Sequence, residues 1–336
     1  MYWIREFSAT QCFTRVVPNV PNHGLKQIPI VDHITNEDLE DYVAKGLPVV
    51  VRKHMEKWPA TKSWNDLSYF ASVCPNFEHS GVKLPDYIDD LLKIESAIKK
   101  RKMDNLPINR TQLQYHVGGY YFSHNEELFH ECPRLWEDVQ NFSLARHRSS
   151  KPSSLLGSFA RYLISFFRTE FMSREFLWGD WIQAVTWIGP PTCKTNLHYD
   201  DDPMSILYQF KGEKKVRIWS PDQSKYLYPK TSCSENSEYG TRFSRIDDIN
   251  SENVCKDFPL FQNATALEHI LREGEMIYIP SGWWHHVEVL STSVSVAARS
   301  YSLCEGLSYM PNFIVNYVTE QGFFDGSGFC IKPSYL

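Results

Sequence analysis

Apolar and polar residues alternate in short runs through the second half of the chain, and Gly, Pro, Asp or Ser bounds each run. A period of two is what a half-buried strand requires. The runs predict strands over 181–188, 195–199, 205–211, 214–220, 266–271, 276–279, 284–290 and 293–299. Eight short antiparallel strands around a common interior fit a double-stranded β-helix, a jelly-roll barrel. In the first half the apolar spacing changes to three and four, which predicts helices over 36–45, 64–73, 86–102, 126–142 and 155–171, with a strand over 47–52. Thr35 or Asn36 caps the first helix, and Glu37 and Asp38 place negative charge in its first turn, where the helix dipole favours it. The expected fold class is mainly β with surrounding helices. A mixed α/β N-terminal region over 1–175 packs on the barrel, the core covers 176–300, and a C-terminal extension covers 301–336. The polar and aromatic stretch 221–263 is too long for a hairpin and is expected to lie over the site opening as a substrate lid.

His198 and Asp200 are two residues apart on a predicted strand, so their side chains share a face and can grip one ion. A distant strand must supply a third ligand, and the segment Pro280-Ser281-Gly282-Trp283-Trp284-His285 offers one. Two histidines and a carboxylate on one side of a metal leave the opposite positions open, as in mononuclear non-haem Fe(II) oxygenases. The His-x-carboxylate spacing also occurs at His54-Met55-Glu56, His124-Asn125-Glu126 and His286-Val287-Glu288, so context must separate them. His54 borders a turn and reads as a surface or satisfied histidine; His124 lies among polar neighbours and reads as solvated. Register separates the neighbouring pair. His285 shares its face with Val287 and Val289 and is placed inward as the ligand. His286 shares its face with Glu288, pointing to solvent or supporting the ligand by a hydrogen bond, and is the fallback.

The run His198-Tyr199-Asp200 is followed by Phe210-Lys211-Gly212-Glu213-Lys214-Lys215, Trp219-Ser220-Pro221-Asp222, Tyr226-Leu227-Tyr228-Pro229, Phe258-Pro259-Leu260-Phe261 and Gly274-Glu275-Met276-Ile277-Tyr278-Ile279-Pro280. In order and spacing these motifs resemble the JmjC-domain 2-oxoglutarate oxygenases of the cupin fold, and most closely the small hydroxylase branch that includes the HIF asparaginyl hydroxylase and the wybutosine tRNA hydroxylase. The resemblance covers about 28–299. It implies Fe(2+), 2-oxoglutarate as co-substrate and O2, with His198, Asp200 and His285 as catalytic metal ligands. It further implies Lys214 as the cation for the far carboxylate of 2-oxoglutarate, Thr195 as a hydroxyl bonded to the same co-substrate, and Tyr120 or Tyr121 as a tyrosine reaching that carboxylate. Two positions depart from the pattern: Ser205 and Arg299 stand where relatives often carry asparagine beside the co-substrate. Serine still donates a hydrogen bond, whereas arginine changes the charge and can pair with a carboxylate.

The remaining composition narrows the partners. With 336 residues, 42% hydrophobic and 14% aromatic, the chain can bury a large core. No apolar run approaches the ~20 residues of a membrane helix, and 1–20 shows no signal-peptide pattern, so no membrane association and a cytoplasmic or nuclear location are expected. Eight scattered cysteines without a Cys-x-x-Cys pair argue against a zinc module and read as reduced thiols. A net charge of −5 works against general nucleic-acid binding, although Lys99-Lys100-Arg101-Lys102 forms a basic cluster that reads first as a solvated helix end. A protein side chain is therefore the favoured substrate. RNA, a methylated lysine, or a silent ligand-binding cupin remain alternatives, and a segment near 309–318 could pair two copies as a homodimer.

Overall fold

The alternating runs fold as two facing sheets in the computed structural model, which describes residues 25–79, 81–105, 122–124, 126–145, 182–200, 202, 204–230 and 242–300. In chain order the strands are β1 Ile30–Val31, β2 Val49–Val51, β3 Glu78–His79, β4 Val82–Lys83, β5 Phe122–His124, β6 Ile182–Gly189 and β7 Lys194–Tyr199. They continue as β8 Met204–Lys211, β9 Lys214–Trp219, β10 Leu267–Leu271, β11 Met276–Ile279, β12 Trp284–Val289 and β13 Ser293–Ser300. The larger sheet has the order β1-β2-β11-β8-β13-β6-β5 and the smaller β10-β9-β12-β7, while β3 and β4 form a separate hairpin. From β6 to β13 the chain crosses repeatedly between the two sheets, and the pairings within each are antiparallel. This is the double-stranded β-helix expected from the sequence.

Three apolar layers hold it. Between the sheets, Val50, Ile277 and Ile279 meet Val216, Ile218, Leu267, Leu271 and Val287. On the outer face of the larger sheet, Ile206, Tyr208, Phe210, Tyr278 and Val296 pack against Trp58, Trp64, Phe70, Tyr87 and Phe142 of the N-terminal region. A polar anchor crosses that contact, Tyr87 OH donating to the Ile188 carbonyl at 2.8 Å, and the N-terminal layer is braced within itself by Trp64 Nε1 and Tyr69 OH, which donate to Asp138 at 3.1 and 2.7 Å. On the outer face of the smaller sheet, Leu197, Tyr199, Trp219 and Trp284 are covered by Leu227, Ile246 and Ile249.

Several expectations change. In the stretch 221–263, Leu227, Ile246 and Ile249 pack on the outside of the smaller sheet, whereas Arg242 and Phe243 reach the site, beside Asp200 and against His198; the centre of the expected lid, 231–241, lies outside the described residues. The helix Asn36–Lys45 has its expected bounds, with Thr35 as the cap in a capping box with Asp38. The stretch 64–73 is helical only from Ser68, because the Asp66 side chain accepts from the Ser68 N–H and opens a turn. Pro133 lacks a donor and divides 126–142 into Glu126–Glu131 and Pro133–Asp138. Cys74 and Cys132 are joined as a disulfide with Cα atoms 5.8 Å apart, so these two are not the free thiols expected. Tyr120, Tyr121, the helix at 155–171 and the extension 301–336 lie outside the described residues. Among the described residues no helix is long and apolar enough to cross a membrane.

Candidate metal centre

The site is built where β7 and β12 lie side by side. His198 and His285 are direct cross-strand partners, and Asp200 follows one residue after the end of β7. The Gly282 N–H donates to the Asp200 carbonyl at 2.8 Å, which ties this residue to the turn that leads into β12. His198 Nε2 lies 3.9 Å from Asp200 Oδ1 and His285 Nε2 lies 3.9 Å from Asp200 Oδ2, with the imidazole centroids 4.1 Å apart. One donor atom from each of the three residues lies within 4.8 Å of the others, leaving room for one ion between them.

The imidazoles are prepared for that task. His198 Nδ1 is 2.7 Å from the Asn196 carbonyl and His285 Nδ1 is 3.1 Å from the Trp283 carbonyl. A carbonyl can only accept, so each Nδ1 carries the proton and each Nε2 turns a free lone pair toward Asp200. Burial, and then the neighbouring His285, push the His198 pKa down to about 3, keeping the ring neutral. Burial alone would raise the Asp200 pKa, but the nearby charges, Arg299 foremost, hold the carboxyl well below its ordinary range. Arg299 Nη2 donates to Asp200 Oδ2 at 3.2 Å. Neutral imidazoles and an ionised carboxylate are the forms that bind a cation.

The other residues singled out in the sequence distribute around this trio. Val216 and Val287 are partners in the interior layer, and Lys214 follows their face to lie 2% exposed between the sheets, its ammonium donating to Ser295 Oγ. Burial pushes its pKa down to about 7. Thr195 also faces inward, although it is three residues from His198, because β7 carries a bulge opposite His286. The ladder pairs His285 with His198 but Val287 with Thr195, so one extra residue is absorbed between them. Ser205 is the partner of Arg299 on the interior side of the larger sheet. His286 points the other way, buried on the outer face with its Nδ1 3.6 Å from Glu288, and burial lowers its pKa to about 4. It is covered by protein rather than facing solvent, and it stands apart from the three donors.

Sequence reasoning missed Phe243. Its ring stacks on His198 at 5.0 Å and 10°, and its backbone bridges His198 at the edge of β7, where the Ser244 N–H donates to the Leu197 carbonyl. It comes from the long insertion, and no local pattern signals such a contact.

The profile of the cupin-like domain family matches residues 35–304, most of the chain. The chain belongs to the cupin-like domain family. The resemblance to JmjC proteins read from the motifs agrees with its relatives. The JmjC domain-containing protein D of Dictyostelium discoideum is 28% identical over 269 residues, 78% of this chain and 53% of that protein. The lysine-specific demethylase JMJ30 of Arabidopsis thaliana is 26% identical over 77% of this chain and 51% of its own. Human HSPB1-associated protein 1 is 27% identical over 42% of this chain and 29% of its own. The chain spans about half the length of the first two relatives. Within the cupin-like fold, a His-Asp-His cluster on the interior face of the smaller sheet, at the ends of β7 and β12, is compatible with a bound metal ion.

Proposed function

We propose that this cupin-like domain is an Fe(II)- and 2-oxoglutarate-dependent dioxygenase that hydroxylates a protein side chain. The observation that carries the reading is the convergence of two Nε2 lone pairs and one carboxylate, with both Nδ1 atoms committed to backbone carbonyls. When bound, Fe(II) with 2-oxoglutarate and O2 supplies the oxidising power: one oxygen atom enters a substrate C–H bond and the other enters succinate as CO2 leaves. His198, Asp200 and His285 would hold the ion from one side and leave the opposite positions open. Lys214 would receive the far carboxylate of 2-oxoglutarate, with Thr195 and Ser205 offering hydroxyls from β7 and β8. Tyr120 or Tyr121 is assigned to the same carboxylate from the motif alone. The apolar wall of Val216, Ile218, Ile277 and Val287 excludes water, which strengthens every charge interaction within the barrel.

The net charge of −5 supports a protein over a nucleic acid as substrate. The same chemistry on a methylated lysine is the second reading, favoured by the name of the Arabidopsis relative. Anaerobic addition of Fe(II) and then 2-oxoglutarate tests the centre. The wild-type protein is expected to develop the weak visible absorption of an iron-chelated keto acid, and Asp200→Ala to develop none. Absence of the band in both proteins would leave a ligand-binding cupin. Mass spectrometry of peptides incubated with the complete system then separates a gain of oxygen from loss of a methyl group.

A further inference from the structure

Arg299 lies near the end of β13 on the interior face, opposite Ser205, where its guanidinium spans two carboxylates of the segment after β7. Nη2 donates to Asp200 Oδ2 at 3.2 Å, and Nε lies 3.0 Å from Asp202 Oδ2. Asp202 is itself 9% exposed, so this second charge is held inside the protein. We propose that Arg299 and Asp202 act as a positioning pair for Asp200: the arginine occupies Oδ2, the carboxylate is left to bind metal through Oδ1 alone, and Asp202 cancels the arginine's charge. The proposal deepens the metal-centre reading above and rests on it.

Two physical arguments lead to it. A free carboxylate can rotate and grip an ion through both oxygens, which would consume a coordination position needed by the co-substrate or dioxygen. A guanidinium is rigid and planar, and one fixed N–H on Oδ2 opposes that rotation: Oδ1 faces His198 Nε2 at 3.9 Å clear of the arginine, whereas Oδ2, 3.9 Å from His285 Nε2, already has a lone pair engaged by Arg299. An uncompensated guanidinium beside the site would, however, repel the incoming cation. Asp202 at 3.0 Å removes that repulsion, so orientation is retained without the opposing charge.

The test is titration of the purified full chain with Mn2+ alone, following free Mn2+ by electron paramagnetic resonance, with metal-free thermal melts to check folding. Arg299→Gln is expected to weaken Mn2+ binding by about tenfold or more, the usual range for loss of a group that orients a ligand. Arg299→Lys, which keeps a donor and the charge, should lose less. Asp202→Asn should weaken binding when Arg299 is present and have no effect in the Arg299→Gln background, a coupling that a merely structural role would not produce. Wild-type affinity in Arg299→Gln, or an equal cost of Asp202→Asn in both backgrounds, overturns the proposal. Should Arg299→Gln fail to fold, Asp202→Asn decides alone, and unchanged affinity overturns the pair. Failure of the wild-type chain to bind Mn2+ would instead sink the metal-centre reading itself.

Discussion

Lys214 is a cation set among apolar side chains, and its proton is the most pH-sensitive element of the interior. Burial takes its pKa from 10.5 to about 7, so between those values the unfolded chain holds a proton that the folded chain has released. The sign follows from linkage: stability rises as pH increases through this window, because folding must release the lysine's proton and that release becomes easier at higher pH. Binding of a dicarboxylate requires the charged form and therefore draws a proton back. With Mn2+ present, affinity for 2-oxoglutarate is expected to fall above pH about 7, by up to tenfold per pH unit. Calorimetry in two buffers of different ionisation enthalpy should show proton uptake, and Lys214→Met should remove both the slope and most of the affinity. A slope that persists in Lys214→Met would assign it to another group. The inward face of Lys214 was legible because Val216 and Ile218 share its parity along one strand. The pairing of Arg299 with Asp200 and Asp202 was not, because it depends on where a loop residue falls against the end of a strand distant in sequence.

Among elements, the β8–β9 hairpin shows how tightly the barrel constrains its turns. Gly212 has φ of +72°, and a Cβ there would stand 2.1 Å from the Thr292 carbonyl oxygen, so neither the conformation nor the space admits a side chain. Gly274 has a similar φ of +82° with nothing within 4 Å of such a Cβ. Gly212→Ala is expected to cost about 3 kcal/mol or more, and Gly274→Ala only about 1 kcal/mol, the backbone penalty without the clash. Urea unfolding of both variants checks the contrast, and equal losses would show that φ alone sets the cost. All eight barrel strands were legible to within a residue, because strict alternation between an apolar interior and a second environment repeats in each. Helices were overextended where a single local device ended them, the Asp66 turn and Pro133. Placement of the insertion was illegible for a different reason. Residues 227, 246 and 249 meet strand residues that face outward while Phe243 lies against His198, and nothing in their own spacing separates these two destinations.

At the scale of the whole molecule, the N-terminal region and the insertion clasp opposite faces of the barrel, and two adjacent tryptophans register the fact. Trp283 Nε1 donates to the Gly46 carbonyl at 3.1 Å, while Trp284 Nε1 donates to Ser224 Oγ at 2.9 Å. The N-terminal layer that covers the larger sheet is braced by buried Asp138, which accepts from Trp64 and Tyr69. Asp138→Ala strands both donors and is expected to cost about 3 kcal/mol or more in thermal or urea unfolding. Metal affinity in the surviving folded protein should be unchanged, because this contact lies on the far side of the larger sheet from His198, Asp200 and His285; a parallel loss of Mn2+ binding would contradict that separation. The bulge in β7 has a further bearing on how the chain compares with others. Between Thr195 and His198 the sequence counts three steps where the ladder counts two. A relative shorter by one residue at this point could therefore keep both side chains in the interior, whereas a one-residue gap elsewhere in a barrel strand would turn part of that strand inside out. Such a relative would lose the carbonyl turn that seats His198 Nδ1, so a gap of one letter in an alignment would mark a changed imidazole anchor while every functional letter stayed in place.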